Sequence, residues 1–228
     1  MDSLNSNNRP EQALRLRHLQ CIGKILAGFT HESKNYLAII NESTGLMGDM
    51  LQMGKTTEKD VAEYLEIIRS VEDQIRRANN HFRALNQFGH RMDAEFSSYA
   101  LNEIISELVA LVTRFANQKK ITLRKSLQED IPAIHGNPSL LQFVIFSILE
   151  EVLSTLDIES TITIETWRDN DGVQIKVIPS GNRREQEHAP AIPDEILAKA
   201  VQQLCGTITR MQDGATLVMV PLTVSFHD

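Results

Sequence analysis

The sequence predicts an α+β protein in which an N-terminal pair of long helices is followed by a smaller α/β sandwich. Apolar residues recur every three or four positions through residues 10–53 and again through residues 57–88, the spacing of one face of an α-helix. From about residue 97 the pattern changes to helical stretches that alternate with short runs of alternating apolar and polar residues, which are typical of strands.

The two long helices are predicted to form an antiparallel hairpin. Gly54 stops the first helix, and Thr57, followed by acidic residues, is expected to cap the second. The apolar face of the hairpin is too wide to be buried by two helices alone, so a second copy of the chain is expected to complete a four-helix bundle. Residues 10–92 are therefore predicted to be a homodimerisation domain with a helical hairpin, and residues 97–228 a second domain.

Turn and cap signals divide the second region. A helix is predicted from Pro138, with Asn137 as its cap. Asp-Gly pairs stand between alternating runs at 171–172 and 213–214, and each pair predicts a β-hairpin. Residues 91–100 have the composition of a short linker between the two domains.

Composition argues against several classes of protein. The chain has 228 residues, is 42% hydrophobic and carries a net charge of -7 without any dense run of Lys or Arg, which argues against nucleic acid as a partner. The polar N-terminus and the two glutamates that interrupt the run "LLQFVIFSILEEVL" predict no exported or membrane-spanning segment. Two distant cysteines argue against a zinc site, so a cytoplasmic protein with packed thiols is expected.

The stretch "FTHESKNYLAII", residues 29–40, contains the candidate site, which is formed by His31, Glu32 and Asn35. At about 100° per residue, His31 and Asn35 lie opposite the main apolar cluster of the helix. An exposed imidazole can attack phosphorus, and Glu32 can hold the proton on the other ring nitrogen. The residues alone also allow an incidental polar face, which is the more frequent case. Five other histidines are interpreted as surface or structural residues: His18, His81, His90, His135 and His188.

The segment "LAGFTHESKNYLAIINESTGLM" resembles the phospho-acceptor box of the two-component sensor histidine kinases, and residues 101–156 resemble the start of their ATP-binding domain. The resemblance covers nearly the whole chain from about residue 16. It implies a phosphorylated His31 on a dimeric four-helix bundle, an ATPase-like second domain, and the receiver domains of response regulators as partners.

Three departures from the family pattern predict a degenerate ATP site. Glu150 stands where the resemblance places an asparagine that chelates Mg²⁺ on ATP. Residues 179–183 replace the adenine-reading Asp-x-Gly-x-Gly motif and retain only Gly181, and "PDEILAKAVQQL" lacks the glycines of the second glycine-rich stretch. The chain is therefore expected to bind no cofactor itself, and Mg²⁺ is expected on the partner receiver domain.

These observations predict a histidine phosphotransferase of a two-component phosphorelay, which passes phosphoryl groups between receiver aspartates through His31 without binding ATP. The resemblance here is to phosphotransferases that arose from degenerate kinases. Two alternatives stay open. One is a receiver phosphatase in which the Asn35 amide holds the attacking water, and the other is a pseudokinase scaffold that binds a response regulator without chemistry. An active autokinase is ranked last.

Overall fold

Two long helices open the fold of this computed structural model, which describes residues 8–55, 57–170, 172–183 and 192–223. Helix α1 spans Asn8–Gln52 and α2 spans Glu58–His90. The predicted cap of α2 is present: the Thr57 hydroxyl accepts from the Asp60 amide at 3.3 Å, and the Asp60 carboxylate accepts from the Thr57 amide at 2.8 Å. The hairpin prediction is therefore confirmed.

The second region contains three helices and seven strands among the described residues. Asn137 begins α4 as predicted, because its side chain accepts from the Leu140 amide at 2.8 Å and Pro138 follows it. The elements that follow the hairpin are β1 Ser97–Tyr99, α3 Leu101–Gln118, β2 Thr122–Leu127, β3 Ile134–Gly136, α4 Pro138–Thr155, β4 Thr161–Asp169, β5 Gly172–Ser180, α5 Asp194–Gln203, β6 Thr207–Arg210 and β7 Thr216–Val220.

A mixed five-stranded sheet has the order β2-β4-β5-β7-β6, in which only the β2–β4 pair is parallel. Both predicted hairpins, β4–β5 and β6–β7, are present, although Asp171 of the first turn lies outside the described residues. Buried and partly exposed residues alternate along the central strands, so one face packs on the core helices. The α+β prediction is confirmed.

The predicted linker, residues 91–100, contains structure that the sequence did not indicate. Strand β1 lies inside it and pairs antiparallel with β3. Arg91, at the end of α2, forms an ion pair of 2.6 Å with the buried carboxylate of Glu107 on α3. Three-residue strands are too short to show an alternating pattern, so this correction could not come from periodicity. Most of the predicted loop at 182–193 lies outside the described residues.

One hydrophobic core joins the hairpin to the second region. Helix α4 lies at its centre, and most of its side chains are buried. The inner face of α1 belongs to the same core through Cys21, Ile25 and Phe29, and α1 contacts α3, α4 and α5. Helix α4 is long and apolar enough to cross a membrane, but 78% of it is buried inside the protein, as expected of a core helix.

The outer faces of α1 and α2 carry large apolar side chains that are exposed in the single chain. These residues recur along both helices and extend beyond the part of the hairpin that contacts the second region. They are Leu16, Leu19, Leu26, Leu37, Ile39, Leu46 and Leu51 on α1, and Val61, Leu65, Ile68, Ile75 and Phe82 on α2.

Candidate functional site

His31 lies in the middle of α1 with its side chain exposed, as its position on the helix predicted. Within the described part of the chain, its ring makes no hydrogen bond or ion pair. One turn earlier, the backbone of Gly28 lies against the ring of Phe115 from α3. The imidazole is therefore held on a helix that is fixed from behind, while the ring itself stays accessible to a reactant.

Glu32 faces the second region and does not bond to His31. Its Oε2 lies 3.7 Å from the Arg114 Nε on α3 and accepts a hydrogen bond of 3.5 Å from the Asn35 amide. Successive residues of a helix project about 100° apart, so a carboxylate drawn toward α3 is turned away from the neighbouring imidazole. In this structure the carboxylate therefore binds Asn35 and Arg114 instead of the imidazole. The role of Glu32 in holding the ring proton of His31 stays a prediction.

His81 on α2 lies behind the candidate site and is only 5% exposed. Its ring stacks on Phe29 with 4.9 Å between centroids and meets the edge of Tyr36 at 6.0 Å. Its Nε2 is buried without a hydrogen-bond partner in the described structure. Sequence reasoning interpreted His81 only as a surface or structural residue. Its contacts with Phe29 and Tyr36 depend on the alignment of α1 with α2, which periodicity within one helix does not reveal.

The charge of Glu32 influences the titration of two neighbouring rings. Burial lowers the pKa of His81, an effect that Glu32 partly opposes. Burial also raises the pKa of Tyr36, and the charge of Glu32 and a hydrogen bond to it raise this pKa further. Both rings are therefore kept uncharged near neutral pH, and Glu32 with Arg114 is the principal ion pair behind His31.

Three successive turns of α1 contact the second region. Lys24 Nζ lies 2.5 Å from Glu150 Oε1 on α4, Gly28 packs on Phe115, and Glu32 pairs with Arg114. Positions 24, 28 and 32 are four residues apart, so they lie on one face of the helix. A Cβ at position 28 would lie 2.6 Å from the Phe115 ring, so only glycine permits this approach without displacement of that ring.

The region that resembles a nucleotide site is occupied by ion pairs and side chains. Arg210 on β6 pairs with Glu151 on α4 and, at 2.6 Å, with Asp194 on α5. The Arg183 guanidinium lies directly over Gly214. A cavity of about 190 Å³ lies here, and its lining includes Glu151, Arg183, Arg210, Gly214, Pro179 and Thr216. Among the described residues, no group of three or more His, Cys, Asp or Glu side chains could hold a metal ion.

The other singled-out residues lie away from His31. His18 Nε2 is 3.1 Å from the Ser139 hydroxyl, and His135 Nδ1 is 3.2 Å from that of Ser98, which fits a structural interpretation. His188 lies outside the described residues. Cys21 is buried as predicted, whereas Cys205 is exposed, which corrects its interpretation as a packed thiol. This cysteine follows the end of α5 with a φ of 54°, where the chain turns away from the core.

Sequence comparisons connect the chain to two-component signalling. No family model matches it. It is 26% identical over 170 residues to sporulation kinase C of Bacillus subtilis (strain 168), a match that covers 74% of this chain and 37% of that protein. It is 25% identical over 184 residues to the sensor histidine kinase ZraS of Klebsiella oxytoca, covering 80% and 38% respectively. By these similarities the chain resembles part of a sensor histidine kinase in sequence.

The chain spans less than two fifths of the length of these two relatives. Among solved structures, it is similar to the histidine kinase ThkA in complex with the response regulator TrrA, with a TM-score of 0.49 and 17% identity over 95% of this chain and 66% of that one. The histidine kinase AdeS of Acinetobacter baumannii gives a TM-score of 0.48 with 12% identity, covering 84% of this chain and 98% of that one. These structural similarities are distant.

The burial of His81 predicts a loss of stability in mild acid. In the unfolded chain the ring takes up a proton at its ordinary pKa of 6.5, whereas burial lowers that pKa in the folded state. Stability is therefore complete above pH 6.5 and is lost as the pH falls below it. Urea unfolding at about pH 7.5 and about pH 5.5 should show this loss.

His81→Phe, which keeps the ring stacking, should reduce the acid loss. The pKa of His18 is also lowered by burial, so part of the loss should remain in this variant. His90→Phe, at an exposed histidine on the same helix, is the matched control and should leave the loss in place. An unchanged pH dependence in His81→Phe would show that the buried ring does not titrate as described.

Proposed function

We propose that the chain is a histidine phosphotransferase that carries phosphoryl groups between receiver-domain aspartates through His31. The observation that supports this proposal best is the exposed His31 ring, free of hydrogen bonds in the described structure, on a helix held rigidly against the second region. This exposed histidine occurs in a chain similar to sensor histidine kinases, so phosphorylation is the chemistry to expect at this position.

The transfer step requires little from the chain beyond this geometry. A ring nitrogen of His31 attacks the phosphorus of a receiver aspartyl phosphate, an N–P bond forms, and the P–O bond to the aspartate breaks, so the aspartate leaves as a carboxylate. The reverse step on a second receiver returns the phosphoryl group to oxygen. A receiver supplies its own aspartate and Mg²⁺, and this chain supplies an oriented nucleophile.

The contacts of the second region support a role without ATP. Glu150 is committed to Lys24, and Glu151 is committed to Arg210, so two carboxylates and their partners take the place of a phosphate-binding surface. The cavity of about 190 Å³ is smaller than the roughly 300–1,000 Å³ of most ligand pockets. The residues present do not fit a Mg²⁺-nucleotide, because this cavity offers neither a metal-chelating amide nor a glycine-rich phosphate cradle among its lining residues.

The chain should therefore neither bind Mg²⁺-ATP at cellular concentration nor label itself from it. Isothermal titration with ATP and MgCl₂ is the measurement, and incubation with radiolabelled ATP is its functional counterpart. Micromolar affinity that requires Mg²⁺, or label on His31 from ATP alone, would favour an autokinase instead. Glu150→Asn, which restores the family amide, is a useful companion variant and should not by itself create binding, because the glycine-rich segments are still lacking.

We further propose a homodimer built on the outer faces of α1 and α2. Twelve large apolar residues on these helices are exposed in the single chain, and exposed apolar surface of this kind commonly marks a protein interface. Packing them against the same surface of a second copy gives a four-helix bundle with twofold symmetry.

Leu26→Glu or Ile68→Glu should prevent this dimerisation, because each places a charge in the proposed interface. In the single chain Leu26 is 51% exposed and Ile68 is 38% exposed. Sedimentation velocity should show a dimer for the natural sequence, and loss of the dimer or of folding for these variants. Ile158→Glu is the matched control, since Ile158 is 53% exposed but lies outside both helices, and it should leave the dimer intact. A folded monomer of the natural sequence at all concentrations would refute the proposal.

The alternatives differ in which side chain of the His31 turn they need. For transfer, His31→Gln should abolish labelling by a phosphorylated receiver, a loss of more than about 100-fold, while the exposed position keeps the fold intact. Asn35→Ala should then change labelling by less than about tenfold, because the amide contacts Glu32 and not the migrating phosphorus. Label on the protein and released phosphate should be measured together.

A phosphatase would give the opposite result: Asn35→Ala would stop phosphate release, and His31→Gln would retain part of it. If the chain is a scaffold, the natural protein and both variants would bind the receiver equally well. None of the three would carry label or release phosphate. The exposed position of Asn35 beside His31 is the observation that keeps the phosphatase as the second candidate.

A further inference from the structure

Arg114 is the charged residue of the second region that reaches the turn of α1 carrying His31. It lies on α3, and its side chain is only 12% exposed. Its Nε is 3.7 Å from Glu32 Oε2, and Glu32 is the carboxylate with which it pairs in the described structure. Arginine is the side chain that proteins use as a permanent cation, so Arg114 places a positive charge behind the site.

Glu32 without this partner would disfavour the proposed reaction. The carboxylate is adjacent in sequence to the nucleophile, and the incoming phosphoryl group carries negative charge. A free carboxylate on the same turn would repel that group through its negative charge. The Arg114 guanidinium compensates the negative charge and keeps Oε2 on the side of α1 that faces α3, where the Asn35 amide also binds it.

Two further contacts between α1 and the second region lie on the N-terminal side of the Arg114 to Glu32 pair. The ring of Phe115, the neighbour of Arg114, packs on Gly28, one turn before Glu32, and the Lys24 to Glu150 ion pair lies one turn further back. Helix α3 therefore cannot slide along α1 without loss of the Gly28 contact, and the Lys24 to Glu150 pair holds α4 to the same face of α1. The Arg114 to Glu32 pair is the end of this row that lies beside His31.

We propose that Arg114 is a positioning residue for phosphoryl transfer at His31, which acts from the second region by holding and neutralising Glu32. The proposal rests on the proposed function, since it concerns the same histidine. It assigns the second region a direct influence on the reactivity of His31 that requires no nucleotide.

The test uses two phosphoryl donors with the full-length chain. Phosphoramidate is a small donor that phosphorylates histidine directly: its P–N bond breaks, ammonia leaves, and the phosphoryl group joins a ring nitrogen of His31. A phosphorylated receiver domain is the second donor. Mass spectrometry measures the phosphoryl label on each protein. The label on His31 is that amount minus the amount on the same protein with His31→Gln. Arg114→Met should slow labelling of His31 by phosphoramidate about tenfold, and the loss should shrink at high salt.

Three further variants separate positioning from general structural damage. In a Glu32→Gln background, Arg114→Met should change the rate of His31 labelling less than twofold, because the effect of Arg114 passes through the Glu32 carboxylate. Twofold corresponds to the deviation of about 0.3–0.5 kcal/mol within which independent sites are additive. Arg114→Lys should recover most of the loss. Arg124→Met, at an exposed arginine on β2, is the matched control and should behave as the natural sequence.

The outcomes distinguish the two proposals. Equal rates for Arg114→Met and the natural sequence would overturn the positioning role, as would an equal loss in both Glu32 backgrounds or a loss that salt does not change. Labelling of His31 by phosphoramidate with the expected Arg114 effects, but no labelling by any receiver, would overturn the phosphotransferase while leaving the positioning role in place.

Discussion

Ile25 is completely buried in the core that α1 shares with the helices of the second region, and Cys21, one turn earlier, is nearly so. Burial of apolar side chains of this size contributes roughly 1.5–3 kcal/mol each, whereas exposed ion pairs contribute about 0–1 kcal/mol. The apolar contact therefore holds α1 against the second region, and the ion pairs at Lys24 and Glu32 fix its rotation and its position along the helix axis. The direction in which His31 points follows from that rotation.

Local signals predict the helices and the five strands of the larger sheet. The long helices repeat their apolar pattern over many turns, and Thr57 and Asn137 cap helices with the side chains that the sequence pattern favours. The β1–β3 pair could not be predicted, because its strands are too short to show a period. The Arg91 to Glu107 pair was also missed, since it depends on how the end of α2 meets α3, which no local pattern specifies.

The candidate site shows the same division between local and tertiary information. The exposure of His31 follows from its angle on one helix, and it was predicted. The partner of Glu32 was not predicted, because Arg114 is distant in sequence and its approach depends on the packing of α3. His81 was assigned to no site for a similar reason: it reaches Phe29 only through the alignment of the hairpin. Sequence reasoning thus located the candidate nucleophile, and the residues packed around its helix required the structure.

The contact between Gly28 and the Phe115 ring has a consequence for the history of the chain. A helix as long as α1 would ordinarily favour alanine over glycine at an internal position by about 1 kcal/mol, so glycine at position 28 is retained against helix propensity. Among homologues that hold the second region against α1, glycine at position 28 should therefore occur together with an aromatic residue at position 115. Homologues whose ATP-binding domain must move freely have no such reason to keep the two residues together. Covariation of these two positions would mark the homologues in which the second region packs on α1 through this contact.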